Sequence, residues 1–153
     1  MNYRRASAKD IEELSQMRWV FQTESAESDP VWTKEQFIQA CADFYTSTIE
    51  SPSWIFWVAE DEDKIVAQVS IHIINNIPSP HRFINKWGYL TNVYTAQTYR
   101  NQGLGAQLLE RAIEEAKGVG IETLIVWPSD RSVAFYQRAG FRGVNEIMEL
   151  SVD

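Results

Sequence analysis

Between Trp54 and Thr95 the chain carries three extended runs with no helical period between them, and this constrains the fold more than any other feature of the sequence. Trp54 to Glu60 is aromatic and aliphatic, the composition of a buried strand. Asp61-Glu62-Asp63 turns the chain, and Lys64 to about Asn76 is a long run rich in Ile and Val. A polar loop with two prolines follows, from Asn75 through Lys86, and Gly88 to Thr95 forms the third run. Three consecutive strands exclude an alternating barrel and a doubly wound sheet.

On either side of this block the apolar period changes to that of a helix. Ile11, Leu14, Met17, Arg18 and Phe21 predict a helix from about 8 to 23, with Ser7 as its N-cap and Asp10 as the acidic third residue. Thr33 and Gln36 form a second capping box. The stripe Phe37, Ile38, Cys41, Phe44, Tyr45 and Ile49 follows, closed by Ser51-Pro52. Leu104, Leu108, Leu109, Ala112, Ile113 and Ala116 predict a third helix, stopped by Gly118 and Gly120. A first strand at 3–7, a strand from Ile121 to Trp127, a short helix from Asp130 to Ala139 and a last strand from Asn145 to Val152 complete the order β-α-α-β-β-β-α-β-α-β. The expectation is an α/β chain with an α+β mixed sheet, one domain over residues 1–153.

Charge and cysteine content narrow the function classes. Fourteen basic against twenty-one acidic residues give a formal charge of -7, which disfavours general binding of nucleic acid through its phosphates. The single cysteine, Cys41, makes neither an internal disulfide nor a cysteine-based zinc cluster, which fits a reducing cytoplasmic setting. No apolar run approaches the length of a membrane span, and the first thirty residues lack the apolar stretch of a secretory leader. His72 and His81 have no nearby carboxylate cluster, so no metal site is expected.

The chemistry concentrates after the third run. Arg100-Asn101-Gln102-Gly103-Leu104-Gly105 leads from a strand directly into a well-patterned helix. The first turn of a helix leaves backbone N–H groups without partners, the helix dipole places positive charge there, and glycines let a phosphate approach closely. The turn is not a nucleotide P-loop, and a dinucleotide fingerprint would need glycine where Leu108 stands. Taken alone, Gly103 and Gly105 are equally explained by tight helix–sheet packing.

A second segment gives the turn its meaning. Phe135-Tyr136-Gln137-Arg138-Ala139-Gly140-Phe141 lies downstream, and Tyr89-Leu90-Thr91-Asn92-Val93-Tyr94-Thr95 lies upstream. Together the three segments resemble the GNAT acetyltransferase superfamily: its coenzyme A turn, Arg/Gln-x-x-Gly-x-Gly/Ala, its Tyr-x-x-x-Gly-Phe segment and its fourth strand. The likeness is strong over 88–142 and consistent in element order elsewhere. It implies a GNAT-like acyl-CoA N-acyltransferase fold, a mixed sheet splayed beside Thr95, and acetyl-coenzyme A (acetyl-CoA) as cosubstrate, with no metal. By position, Val93, Tyr94 and Thr95 would meet the pantetheine arm. The backbone of Asn101, Gln102, Gly103, Leu104, Gly105 and Ala106 would hold the pyrophosphate, and Arg100 and Arg131 would add positive charge near the phosphate end. Two positions depart from the family: Ser129 stands where it often has Asn, and Ser132 where it often has Ala. Serine reaches less far than Asn, so the side-chain contact at 129 is weakened.

The reaction implied is attack of a neutral amine on the thioester carbonyl. A backbone N–H near Val93 and Tyr94 would stabilise the oxyanion, and Tyr136 would protonate the leaving thiolate as general acid. A packing role for Tyr136 between the last helix and the sheet is its alternative. No base stands out: Glu24, Glu27 and Asp29 lie in the loop after the first helix, where charged residues are ordinarily solvated. Trp32, Trp54, Trp87 and Tyr45 are available to wall an acceptor pocket or to fill a core. The partners implied are acetyl-CoA and an amine (a small molecule, a peptide N-terminus or a lysine), with no nucleic acid and no membrane; a homodimer is compatible with the reading. A module that binds acyl-CoA without turnover, or a site for another phosphorylated ligand, are the competing readings.

Overall fold

The computed structural model describes residues 1–143 and 146–152. Five strands lie in the order β1-β2-β3-β4-β5: β1 Asn2–Arg5, β2 Trp54–Asp61, β3 Lys64–Asn75, β4 Lys86–Thr95 and β5 Ile121–Ile125. The first four are antiparallel neighbours and β5 runs parallel to β4. The helices are α1 Ile11–Thr23, α2 Lys34–Thr48, α3 Leu104–Gly118 and α4 Val133–Arg138. The expected mixed sheet and the expected order are present from β1 through α4.

Local chemistry sets the helix starts. Thr33 N–H donates to Gln36 Oε1 at 3.1 Å and Gln36 N–H to Thr33 Oγ1 at 3.2 Å, a closed capping box at the head of α2. Ahead of α1, Asp10 accepts the Ser7 N–H at 2.7 Å, and one 3₁₀ turn at Ala8–Asp10 precedes the α-helix.

Apolar residues on alternate positions of the strands feed two layers, one on each face of the sheet. Ile55, Ala59, Val66, Ile71 and Leu90 pack with Leu104, Leu108, Leu109 and Ala112 of α3. Phe56, Val58 and Ile65 pack the other way, with Leu14 and Met17 of α1 and Tyr45 and Ile49 of α2.

β4 changes face part-way along. Ser70 pairs with Thr91, yet Gln68 pairs with Tyr94, so β4 holds one extra residue there. Asn92 takes the left-handed conformation at this bulge, φ 54°, which Asn tolerates better than most side chains. Before the bulge Leu90 faces α3; after it Val93 does, and Tyr94 joins the α1–α2 layer.

Among the described residues the last strand expected from the sequence does not form. Residues 146–152 belong to no strand, and Met148, Leu150 and Val152 are exposed; Asn145 lies outside the described residues. An alternating pattern says which side of a strand would be buried but supplies no neighbour to pair with. The strand expected to reach Trp127 ends at Ile125, and this shorter β5 shapes the site.

Candidate active site

β5 accompanies β4 only from Lys86 to Tyr89, whereas β3 stays paired with β4 as far as Thr95. The backbone from Leu90 to Thr95 therefore has no strand on its β5 side. Trp127, just past β5, sets its ring edge-on to Tyr89 at 5.1 Å, where the two strands part. This is the splay that the resemblance implied beside Thr95.

α3 begins at the far end of that opening. Asn101 and Gly103 are both left-handed, φ 60° and 79°, which turns the chain sharply into the helix. No side chain caps α3, and its opening backbone bond runs from Gln107 N–H to Gly103 C=O at 3.1 Å. The N–H groups of Leu104, Gly105 and Ala106 thus lack intrahelical acceptors. At Gly105 an added Cβ would lie 3.1 Å from Thr95 Oγ1 and 3.6 Å from the Phe135 ring. The missing side chain brings the end of β4, the first turn of α3 and the short α4 together.

Tyr136 sits on α4 and belongs to the α3-side core, 8% exposed. The Gly-Phe part of its motif fixes it. Gly140 (φ 99°) ends the helix, Gly140 N–H donates to Gln137 C=O and Phe141 N–H to Tyr136 C=O, both at 3.0 Å. That is the Schellman arrangement, and it folds Phe141 back onto the tyrosine. Phe141 and Phe135 meet the Tyr136 ring edge-on at 5.6 and 5.1 Å. Burial pushes the Tyr136 phenol up to about 12, so it stays protonated at neutral pH.

The other sequence-named residues fall into two groups. Arg100 pairs with Glu24, donates from Nε to Thr95 C=O at 2.9 Å and lies over the Tyr94 ring. Glu24 also accepts the Tyr94 hydroxyl at 2.8 Å, so it joins the end of α1 to the end of β4. Burial first, then this carboxylate, pushes Tyr94 up to about 12. Ser129 and Ser132 bond each other through their hydroxyls at 3.0 Å, and Arg131 donates to Ser25 Oγ at 3.2 Å. Farther off, His72 stacks on Trp54 at 4.3 Å, His81 is exposed, and Cys41 is half-buried with its thiol pushed up by burial. Among the described residues no three His, Cys, Asp or Glu side chains gather as metal ligands would, and no helix is long and apolar enough to cross a membrane.

On the opposite face of β4 lies a cleft of about 400 Å³ between α1, α2 and the sheet. Its walls are mostly aromatic: Trp32, Phe37, Phe44, Tyr45, Trp54 and Tyr89 among them. Its polar end is Asn92 at the bulge. Asn92 Oδ1 accepts from Arg18 Nη1 and Gln68 Nε2, both at 3.1 Å, and its Nδ2 donates to Tyr45 Oη at 3.0 Å and Ser70 Oγ at 3.3 Å. Gln68 is 2% exposed and its Oε1 has no hydrogen-bond partner among the described residues. The sequence reading named neither Asn92 nor Arg18 as functional. The signals were an Arg inside the apolar stripe of α1 and an Asn inside a strand.

A splayed mixed sheet, an uncapped glycine turn at the splay and a buried, protonated tyrosine beside it define the acyl-coenzyme A acyltransferase class. The chain matches the Acetyltransferase (GNAT) family over residues 11–141, and it belongs to that family. A protein of Clostridium acetobutylicum described as a predicted acetyltransferase, solved with acetyl-CoA, is 27% identical, with TM-score 0.80 over 99% of this chain and 96% of that one. A GCN5-related N-acetyltransferase from Ralstonia eutropha, 22% identical, shares the fold at TM-score 0.78 over 99% of each chain. GCN5-related N-acetyltransferase 6, chloroplastic, of Arabidopsis thaliana is 36% identical over 61 residues; the match spans 38% of this chain and only 21% of that longer protein.

Proposed function

We propose that the chain is an N-acetyltransferase that moves the acetyl group of acetyl-CoA to a primary amine held in the cleft between α1, α2 and β4. One observation carries this reading. The unpaired edge of β4, the free N–H groups of α3 and Tyr136 converge on one side of a strand whose other side lines the aromatic cleft.

Acetyl-CoA fits the opening by its chemistry. From Val93 through Tyr94 to Thr95, β4 has no strand on its β5 side, where its outward backbone groups, apart from the Thr95 C=O that Arg100 Nε already meets, can bond an amide-bearing arm, and the α3 turn from Asn101 to Ala106 offers unpaired donors to a pyrophosphate. The missing side chain of Gly105 lets the first turn of α3 start close against Thr95 and Phe135. Arg100 acts through Thr95 and Glu24, holding the end of β4 in place. Ser129, in the β5–α4 connection, has its hydroxyl tied to Ser132, which supports no more than a weak side-chain contact to the cofactor arm there. The cosubstrate supplies an activated acetyl carbonyl. The amine nitrogen bonds to that carbon, the carbon–sulfur bond breaks, the nitrogen's proton passes to water, the thiolate takes a proton from the Tyr136 hydroxyl, and the tyrosinate recovers one from water, so that amide and free thiol are formed with no net proton change. A phenol pushed up to about 12 has its proton at neutral pH and can give it up to a thiolate only as that charge develops beside it.

Calorimetry with acetyl-CoA, together with release of free coenzyme A thiol across a panel of amines, tests the reading. Binding and amine-dependent thiol release are expected. Binding with no thiol release for any amine would favour a sensor module, and no binding would refute the site.

A further inference from the structure

We propose, resting on the acetyltransferase reading, that the acceptor is an amine carrying both an aromatic or comparably bulky apolar body and a carboxylate, and that Arg18 receives the carboxylate. An aromatic α-amino acid is the simplest member of the class. The argument starts from the charge of the cleft rather than of the chain.

The formal charge of -7 suggests a cationic acceptor, but several of the acids are answered by arginines and none of them forms the cleft wall. Glu24 is paired with Arg100, Asp10 and Glu60 with Arg4, and Glu115 with Arg5. Among the described residues no Asp or Glu lines the cleft. The ionic group that does line it is Arg18, half-buried on α1. Among the described residues Arg18 has no carboxylate partner; it gives one N–H to Asn92 Oδ1, which Gln68 already shares, and rests over the Phe21 ring at 5.4 Å. Guanidinium carries five N–H donors in a fork that matches a carboxylate. A partly desolvated guanidinium with one shared acceptor is a receptor for an anion.

The rest of the cleft defines the body of the ligand. Trp32, Phe37, Phe44 and Trp54 give an apolar wall, and about 400 Å³ falls within the size range of small-molecule sites. A polyamine would bring further positive charge toward Arg18 and find no carboxylate to meet it. Asn92 places Arg18 with respect to β4: the same side chain that orients the guanidinium sits at the bulge where the strand passes from lining the cleft to bordering the cofactor edge. A carboxylate on Arg18 therefore anchors the acceptor at the depth of the strand that separates it from the thioester.

The experiment compares acceptors of one body: phenylalanine, phenylalanine amide and phenethylamine, with spermidine as the polycation. Acetylation is followed by thiol release, and binding of each acceptor by calorimetry on the acetyl-CoA-loaded protein. The carboxylate form should exceed the amide by roughly ten- to a hundredfold in kcat/KM, as for a charge-assisted pair. Arg18→Gln should bring that ratio near one, and Arg18→Lys should restore part of it. Thermal unfolding of both variants controls for folding. Equal or better use of the amide, phenethylamine or spermidine, or a ratio unmoved by Arg18→Gln, would overturn the assignment while leaving the acetyltransferase reading intact. So would normal acetyl-CoA binding with neither turnover nor binding of phenylalanine. Loss of acetyl-CoA binding itself would instead refute the underlying reading, and the inference with it.

Discussion

The two faces of β4 solve different problems with different materials. The α3 face is made of backbone: unpaired strand edge, glycine turn and free helix N–H groups, with the buried Tyr136 on the same side. The α1–α2 face is made of side chains: aromatic walls, Arg18 and the Asn92 network. Backbone recognition of a phosphate and an amide arm demands particular residues at particular spacings, because only glycine leaves the room. A wall of side chains is satisfied by many sequences. One face should therefore be common to many acyltransferases and the other particular to this chain, and substitutions should show it.

The largest expected effect is on the α3 face. Tyr136→Phe keeps the ring between Phe135 and Phe141 and removes only the hydroxyl. Turnover should fall by roughly a hundred- to ten-thousandfold with acetyl-CoA affinity little changed, measured by steady-state kinetics beside calorimetry. Near-normal turnover would reduce Tyr136 to a packing residue. Loss of affinity with turnover kept would make it an anchor for the cofactor's sulfur end.

Gly105→Val should come next. Its Cβ would press on Thr95 Oγ1 at 3.1 Å and on the Phe135 ring, shifting the first turn of α3 away from the end of β4. Acetyl-CoA affinity should drop by about ten- to a hundredfold or more, with the fold retained. Unchanged calorimetry in a well-folded variant would return Gly105 to simple helix–sheet packing.

The same division explains what was legible in the sequence. Strand and helix patterns from Asn2 to Arg138 are local, and so are glycine turns and capping boxes; each was readable from residues within a few positions of one another. The Tyr-x-x-x-Gly-Phe segment was readable because a Schellman end needs its glycine at that spacing. The Asn92 network was not, because its members come from α1, α2, β3 and β4, and a strand bulge changes which residues share a face. Arg18 illustrates the difficulty. Its helical spacing was visible, yet a periodic pattern counts positions on a face and cannot say what an Arg on that face meets. Arg100 shows the converse: the motif names it as charge for the phosphates, whereas its guanidinium is answered by Glu24, a residue 76 positions away.

Asn92→Ala tests the side-chain face at the level of stability. It would strand the Gln68 amide and the Ser70 hydroxyl in the interior and put Ala in a left-handed conformation. A loss of about 2–4 kcal/mol is expected from denaturant unfolding. Asn92→Gly would relieve the backbone but not the network, so a glycine variant as stable as wild type would show that strain, and not hydrogen bonding, is what Asn92 manages.

The smallest effect is silent at neutral pH and appears only in alkali. Tyr45 and Tyr136 stand on opposite faces of the sheet, and burial pushes each up to about 12 from the ordinary value of 10. Their environments differ, because Tyr45 accepts a hydrogen bond from Asn92 while no protein group among the described residues bonds the Tyr136 hydroxyl. A folded-state value above the unfolded one means that the native chain holds the proton more tightly. The stabilisation is therefore complete below about pH 10 and disappears as pH rises through about 12. Titration by tyrosinate absorbance should show both phenols ionising late, and Phe at either position should remove one late step and flatten the alkaline loss of stability. Removing Asn92 should move the Tyr45 step upward, since a donor to the phenolate oxygen favours the charged form, and leave the Tyr136 step where it was. If both steps moved together, the two faces would not be independent, and the contrast between a backbone site and a side-chain site would have to be redrawn as one cooperative unit across β4.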